Sequence, residues 1–289
     1  MQRVKIYSLE QSCDICTEIP EIISDLKSYE SINFIRKKIP AGRISFMEEK
    51  DSPRRINVYK SNNQKVLERY PHYEISNPNI SYRDSLALSE YLLERARQEE
   101  GIYNLHSSTV GINGNCVVIH GASKSGKTVI SLNSHQNKGL EFLTNERTLI
   151  DFDKEKIVGG CELLDIRDYH KKLFPSLKDV DEFELENWKS EEYKIKCIVY
   201  PSIDSGLKKL IFERKDIISA EWLLYPEFTS RIRGDNKRLF NLKYPLDSLD
   251  TKDLALKRIN LLNKFLTKIP FYFVRGSVLQ ISDFIKNQL

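Results

Sequence analysis

The chain has 289 residues, with 45 lysines and arginines against 41 aspartates and glutamates, a formal charge of +4. That excess is small and scattered, which argues against a nucleic-acid partner. No apolar run approaches the ~18 residues of a membrane-spanning helix, and Glu10 and Asp14 interrupt any signal-like core near the start, so the expected location is the cytoplasm.

Residues 1–81 are expected to form a small α+β unit. Ile19 to Phe34 has weak helical spacing, and Arg43 to Met47 and Arg55 to Tyr59 have strand character. Tyr70 to Ser81, with two prolines and several Asn and Ser, is expected as a loop or linker. Cys13 and Cys16 form a C-x-x-C pair, but two further ligands at zinc spacing are lacking. Five cysteines in so long a chain do not make a disulfide scaffold; Cys116 and Cys197 are expected as small core residues.

From residue 82 to 289 a second domain is expected. Leu86, Leu88, Leu92, Leu93 and Ala96 give a helix over 85–99, ended by Gly101. Asn104 to Ile112 is a strand, Asn113-Gly114 a hairpin turn, and Cys116 to Ile119 the next strand. A helix follows from Lys127 to about Asn137, closed by Gly139. Short strands are expected at Leu140 to Leu143 and Arg147 to Phe152, then a turn at 153–156. The stretch 163–191 is polar and mixed, with a short helix near His170. Strands at Lys194 to Tyr200 and Lys209 to Phe212 come next. Asp250 to Thr267 is a clear helix, stopped by Pro270, and a strand and a short helix end the chain.

The most informative segment is Gly121-Ala122-Ser123-Lys124-Ser125-Gly126-Lys127-Thr128. It has the spacing of a phosphate-binding loop, set between a strand and a helix as that motif requires. Glycines let backbone N–H groups curl around an anion, and the helix that follows adds its positive end. Lys127 is expected to reach the β- and γ-phosphates and Thr128 to place its hydroxyl on Mg²⁺, with ATP as the donor. The competing reading is a surface turn that binds nothing.

A nucleotide-using enzyme also needs a carboxylate. Glu146 is the first acidic side chain after the strand at 140–143, near the end where α/β sheets bind ligands. It is the candidate metal ligand and proton acceptor, with Asp151 and Asp153 as rivals. His106, in the strand paired to the one that delivers the loop, is a candidate contact to phosphate, metal or acid. His120 abuts Gly121 but is expected to point away. Arg231 and Arg233 would share one face of an extended segment and suit a phosphate or carboxylate; surface charge is the alternative. Arg147 beside Glu146 and Arg275 are weaker candidates.

The run from Leu105-His106-Ser107-Ser108 through Asn113-Gly114 to Gly121–Thr128 resembles the catalytic core of the HPr kinase/phosphorylase family, which shares its P-loop architecture with phosphoenolpyruvate carboxykinase. The resemblance covers about residues 82–289 and is most specific over 105–147. It implies an α/β core with a mixed sheet, and a kinase that sets a hydroxyl against the γ-phosphate of ATP with Mg²⁺. His106 matches the family's histidine before the loop, and Gly121 to Thr128 match the loop. Where the family has paired aspartates, this chain has Asn145-Glu146, which puts the reverse phosphorylase reaction in doubt. Gly159-Gly160 and Arg231 to Gly234 match further loops only loosely. A copy of the carrier-protein docking segment is not evident. The resemblance thus implies a small-molecule or peptide hydroxyl as acceptor, and a tendency to form homo-oligomers. The alternative, favoured by Asn145, is a non-catalytic nucleotide-binding sensor or assembly factor. A partner-coupled NTPase would want a longer apolar strand ending in Asp.

Overall fold

The computed structural model describes residues 1–47, 50–185, 192–234 and 246–289. The chain is mixed α/β and forms two compact units: residues 1–102 with 228–258, and residues 103–227 with 259–289. This differs from a division at residue 82. The turn formers before 82 do not end a unit; they lead into a helix whose apolar face belongs to the first core. The last part of the polar stretch 163–191, residues 186–191, lies outside the described residues.

In the first unit, β1 (Gln2–Ser8) and β2 (Gln11–Thr17) form a hairpin. The helices α1 (Pro20–Leu26) and α2 (Tyr29–Lys38) follow, then β3 (Gly42–Ser45), β4 (Arg54–Tyr59), β5 (Lys65–Arg69) and β6 (His72–Ser76). The six strands make one mixed sheet in the order β3-β1-β2-β4-β6-β5. β6 falls inside the stretch expected as a loop. Its Tyr73 and Ile75 are buried while His72 and Glu74 are exposed, a two-residue alternation that outweighs the flanking turn formers. Cys13 and Cys16 lie buried and free in β2, and no three-residue His/Cys/Asp/Glu metal cluster occurs among the described residues.

Helix α3 (Tyr82–Glu99) starts at a capping box, in which Asp84 Oδ2 accepts from the Ser81 N–H at 2.9 Å. Its Leu86, Leu92, Leu93 and Ala96 are buried, and Leu86, Leu92 and Leu93 join Ile6, Ile15, Ile56 and Val58 in the core. The same helix buries charge. Arg97, fully buried, donates to Glu90 at 2.8 Å, to Glu94 at 2.6 Å and to Ser8 Oγ at 2.6 Å. Burial pushes the Glu94 carboxyl up, but Arg97 and Gln98 outweigh it and hold it below the ordinary carboxylate range. Gln98 passes the network to buried Arg258, whose Nη2 also donates to Asp250 at 2.9 Å.

In the second unit, β7 (Ile102–Leu105) and β8 (Ser107–Ile112) are interrupted at His106, where one strand was expected. Asn113 and Gly114 both take positive φ (51° and 73°), the geometry of a tight hairpin turn into β9 (Asn115–His120). Helix α4 (Lys127–Lys138) ends at Gly139, which is left-handed (φ 69°). Then come β10 (Glu141–Asp151), β11 (Lys156–Cys161), β12 (Leu163–Asp165), α5 (Asp168–Leu173), β13 (Glu182–Glu184), β14 (Tyr193–Ile203) and β15 (Ile211–Arg214). The strands at 140–143 and 147–152 are thus one strand, β10, with a bulge between them. Helix α6 (Ile217–Ser230) was not legible, because Pro226 in its interior reads as a stop. Asp216 starts it, its carboxylate accepting from the Ser219 N–H at 2.7 Å. The chain ends with α7 (Lys252–Lys268), β16 (Phe271–Gly276) and α8 (Val278–Asn287).

The main sheet of this unit runs β11-β10-β8-β9-β14-β16-β15, with β7 also on β10. β9 is antiparallel to β8 and parallel to β14. Flanked on both sides, its Cys116 to Ile119 are fully buried, as a central strand requires. Helix α4 is pinned to β8 through Ser131 Oγ on Ser108 Oγ at 2.7 Å, and to α8 through Asn133 on Ser282 at 2.9 Å.

The buried Arg97 cluster yields a stability prediction. Arg97→Ala leaves two carboxylates buried without their cation and is expected to cost about 3–5 kcal/mol. Urea unfolding reads this as a lower midpoint; an unchanged midpoint would show that water reaches the pair.

Candidate functional site

The glycine-rich turn 121–126 follows the carboxyl end of β9, the place where α/β sheets bind ligands. Ser125 N–H donates to the Ala122 carbonyl at 3.2 Å and closes the turn. Gly126 is left-handed (φ 87°), and a Cβ there would stand 2.1 Å from Ile203 Cδ1. The positive φ favours glycine, and a side chain would also have to push the Ile203 methyl aside. A Cβ on Gly121 would stand 2.9 Å from Ser125 Oγ. Helix α4 begins immediately after Gly126, so its first N–H groups lack intrahelical acceptors and its positive end faces the turn.

Lys127 is buried and its Nζ donates to the carbonyls of Gly121 and Ala122, at 2.8 and 2.9 Å. The ammonium lies along the inside of the turn. Burial pushes it down to about 8, against the fields of Glu227 and Glu146. Thr128 Oγ1 donates to Asn145 Oδ1 at 3.0 Å. That commits the hydroxyl proton to Asn145 and leaves oxygen lone pairs for another partner.

The bulge in β10 carries the carboxylate. Asn145 pairs with Cys161 and Thr148 with Gly160, so Glu146 and Arg147 are extra residues on this strand. Thr144 and Thr148 hydroxyls lie 2.6 Å apart. In a regular strand, residues four apart are separated by roughly 13 Å, so the intervening segment must fold back. Thr148 Oγ1 also contacts Ser107 at 2.8 Å and Thr109 at 3.0 Å, tying the base of the bulge to β8. Gly160 admits it: a Cβ there would meet Thr144 Cγ2 at 2.2 Å. The fold-back leaves Glu146 at φ 59°, a left-handed conformation that costs a non-glycine residue on the order of 1–2 kcal/mol. Such strain is held where the surrounding structure over-determines it, commonly at ligand sites.

These parts meet in one cleft of about 520 Å³. Ser123, Lys124, Gly126, Lys127 and Thr128 line it from the loop, Asn145 and Glu146 from the bulge, and His106 from the β7–β8 break. Of the other sequence candidates, His120 is buried, with Nδ1 at 3.1 Å from the His106 carbonyl, so it supports the backbone of His106. Asp151 pairs with Lys154, Asp153 with Lys264 and Arg275 with Asp204. Arg231 and Arg233 belong to the first unit and lie in a turn, not an extended segment. Arg233 Nε donates to Asp250 at 3.2 Å.

The cleft also holds residues that sequence reasoning missed: Leu164, Asp165, Arg167, Tyr169 and His170. They come from β12 and the start of α5. Their polar, mixed sequence carries no periodic signal; only the adjacency of β11 to the bulged strand places them here.

No protein-family model matches the chain, and no curated protein matches it in sequence. Among solved structures, that of the HPr(Ser) kinase/phosphatase from Coxiella burnetii is similar at 12% identity and a TM-score of 0.28, over 64% of this chain and 92% of that one. A likeness of that size carries no argument about the chemistry, which rests on the site. No helix among the described residues is long and apolar enough to cross a membrane.

The low Lys127 value sets a pH dependence. Below pH 8 the ammonium is charged; above it, charge is lost. Affinity for an anion such as Mg-tripolyphosphate is expected to fall as pH rises through about 8, with binding above that pH taking up a proton. Calorimetry in buffers of different ionisation heat measures both. Lys127→Met should remove the dependence; its persistence there would place the titrating group elsewhere. Stability moves the other way. Between about 8 and 10.5 the unfolded chain holds the proton that the folded one has lost, so this group makes stability rise with pH across that window.

Proposed function

We propose that the chain is an ATP-dependent phosphotransferase that moves the γ-phosphoryl group to a hydroxyl of a small molecule or a peptide serine or threonine. The observation that carries this reading is the convergence, in one cleft, of the Gly121–Thr128 turn with Glu146 on a strained bulge. The turn supports phosphate binding through its positive-φ Gly126, the close approaches at Gly121 and Gly126, and the α4 N-terminus. Phosphoryl transfer asks the protein mainly to position two partners and to stabilise charge, and these residues are of the right kinds.

The donor set also fits Mg²⁺, a hard cation that takes few protein oxygens and keeps phosphate and water as its other ligands. Thr128 Oγ1 and Glu146 would hold it, with Asn145 fixing the Thr128 hydroxyl. When bound, the ion would neutralise charge on the phosphates and orient them. Lys127 would leave the Gly121 and Ala122 carbonyls for phosphate oxygens. Glu146 would accept the proton of the attacking hydroxyl or orient it. His106 stands in the same cleft as a further contact to phosphate or to Glu146.

One observation favours a second reading, a non-catalytic nucleotide sensor or assembly factor. Asn145 occupies the position that bonds Thr128, and an amide cannot act as a base. On that reading Glu146 would serve the metal alone.

Two variants and one screen separate these readings. Lys127→Ala is expected to abolish productive triphosphate binding; unchanged affinity and turnover would remove Lys127 from the site. Glu146→Gln is expected to bind nucleotide nearly as wild type while transfer falls by roughly 10²–10⁴. Full activity in that variant would take Glu146 out of the mechanism. The screen offers hydroxyl metabolites and peptides with Mg-ATP and reads the mass gain of one phosphoryl group. Tight nucleotide binding with transfer to no acceptor and to no water would favour the sensor.

A further inference from the structure

The lining of the cleft has two kinds of residue. Lys127, Thr128, Asn145 and Glu146 are polar or charged. Val129 and Leu164 are apolar, and Tyr169 and His170 bring aromatic rings. Val129 packs against the apolar cluster that contains Leu164, Ile166 and Phe174, so the apolar lining is continuous with the core of the unit. Val129 also lies one residue beyond Thr128, on the first turn of α4. A nucleotide has the same division: a charged polyphosphate and a flat aromatic base joined by a ribose.

Tyr169 supplies the flat face. Its side chain is 46% exposed, and its ring lies 4.0 Å from that of His170 at a tilt of 53°. His170 is 1% exposed and its orientation is fixed from the backbone. Its Nδ1 accepts from the Arg167 backbone N–H at 3.2 Å, while the His170 backbone N–H donates to the Arg167 carbonyl at 2.8 Å. With Nδ1 accepting, the neutral ring carries its proton on Nε2. Burial and the Arg167 charge both hold the imidazole below its ordinary value, which keeps it neutral at pH 7. Nε2 is buried without a hydrogen-bond partner among the described residues. A buried donor of this kind is stabilised by an acceptor, and the ring nitrogens and ribose oxygens of a nucleoside are acceptors.

We propose that Tyr169 and His170 form the nucleoside subsite of the cleft, with Tyr169 stacking on the base and His170 Nε2–H bonding a base or ribose acceptor while Val129 and Leu164 line the apolar floor. This rests on the reading of Gly121–Thr128 as a nucleotide loop. It adds that the α5 segment, and not the loop, distinguishes a nucleotide from a bare polyphosphate. Arg167 and Asp165, both exposed at the same wall, flank the subsite with opposite charges.

The test compares two ligands on the full chain. Binding of Mg-AMPPNP (and its guanine counterpart) and of Mg-tripolyphosphate is measured by calorimetry on wild type, Tyr169→Ala, Tyr169→Phe and His170→Ala. Wild type should bind a nucleotide more tightly than tripolyphosphate. Tyr169→Ala should lose about tenfold or more for the nucleotide, the usual loss when a base-stacking ring is removed. His170→Ala should lose several-fold. Both should keep tripolyphosphate affinity within about twofold, and Tyr169→Phe should keep both. Unchanged nucleotide affinity in Tyr169→Ala and His170→Ala would overturn the subsite while leaving the loop reading intact. So would a parallel loss for both ligands, which would place these residues with the phosphates or in the fold. If wild type bound neither ligand, the loop reading itself would fail, and the subsite with it.

Discussion

The fold-back of β10 is the constraint on which the site depends. Two threonine hydroxyls, on residues that a regular strand would hold far apart, are 2.6 Å from each other. Their contact expels Glu146 and Arg147 from the ladder and brings Asn145 to Thr128. Ser107 and Thr109 extend the cluster into β8, the strand beside the one that delivers the glycine-rich turn. All four hydroxyl residues are fully buried and satisfy one another, with the Leu105 carbonyl as a further acceptor for Ser107. A small glycine on β11 leaves the room. The carboxylate is therefore positioned by sheet geometry and not by a flexible loop.

That geometry gives the Asn145-Glu146 pair divided duties. Asn145 is buried and holds the Thr128 hydroxyl; Glu146 is half-buried and open to the cleft. An amide can orient a ligand as an aspartate would, but it brings no charge and accepts no proton. The negative field on Lys127 comes first from Glu227 and then from Glu146, so of this pair only Glu146 contributes charge. Whether one carboxylate suffices for transfer is what separates a kinase from a nucleotide sensor.

Much of the second unit was legible in the sequence because its signals are local. The Asn113-Gly114 turn, the strand–turn–helix at 115–138 and the Gly139 cap each follow from backbone preferences of single residues. The bulge was legible only as a gap between two short strands. Its cause is a side-chain cluster drawn from two strands, which no window along the chain contains. Tyr169 and His170 were missed for the same reason: they reach the cleft through the pairing of β11 with β10. Arg231 and Arg233 were expected on one face of an extended segment; the chain turns there instead, and the Arg233 guanidinium meets Asp250. In the first unit, β6 was hidden by prolines that flank the strand and do not interrupt it.

The most direct measurement is a crystal structure with Mg-AMPPNP bound. The account predicts the phosphates cradled by the backbone of 123–128, with Mg²⁺ about 2.1 Å from Thr128 Oγ1 and the Glu146 carboxylate facing the γ-phosphate. Asn145 should still hold the Thr128 hydroxyl. A nucleotide bound elsewhere, or a Glu146 side chain turned out of the cleft while the phosphates occupy the loop, would contradict it.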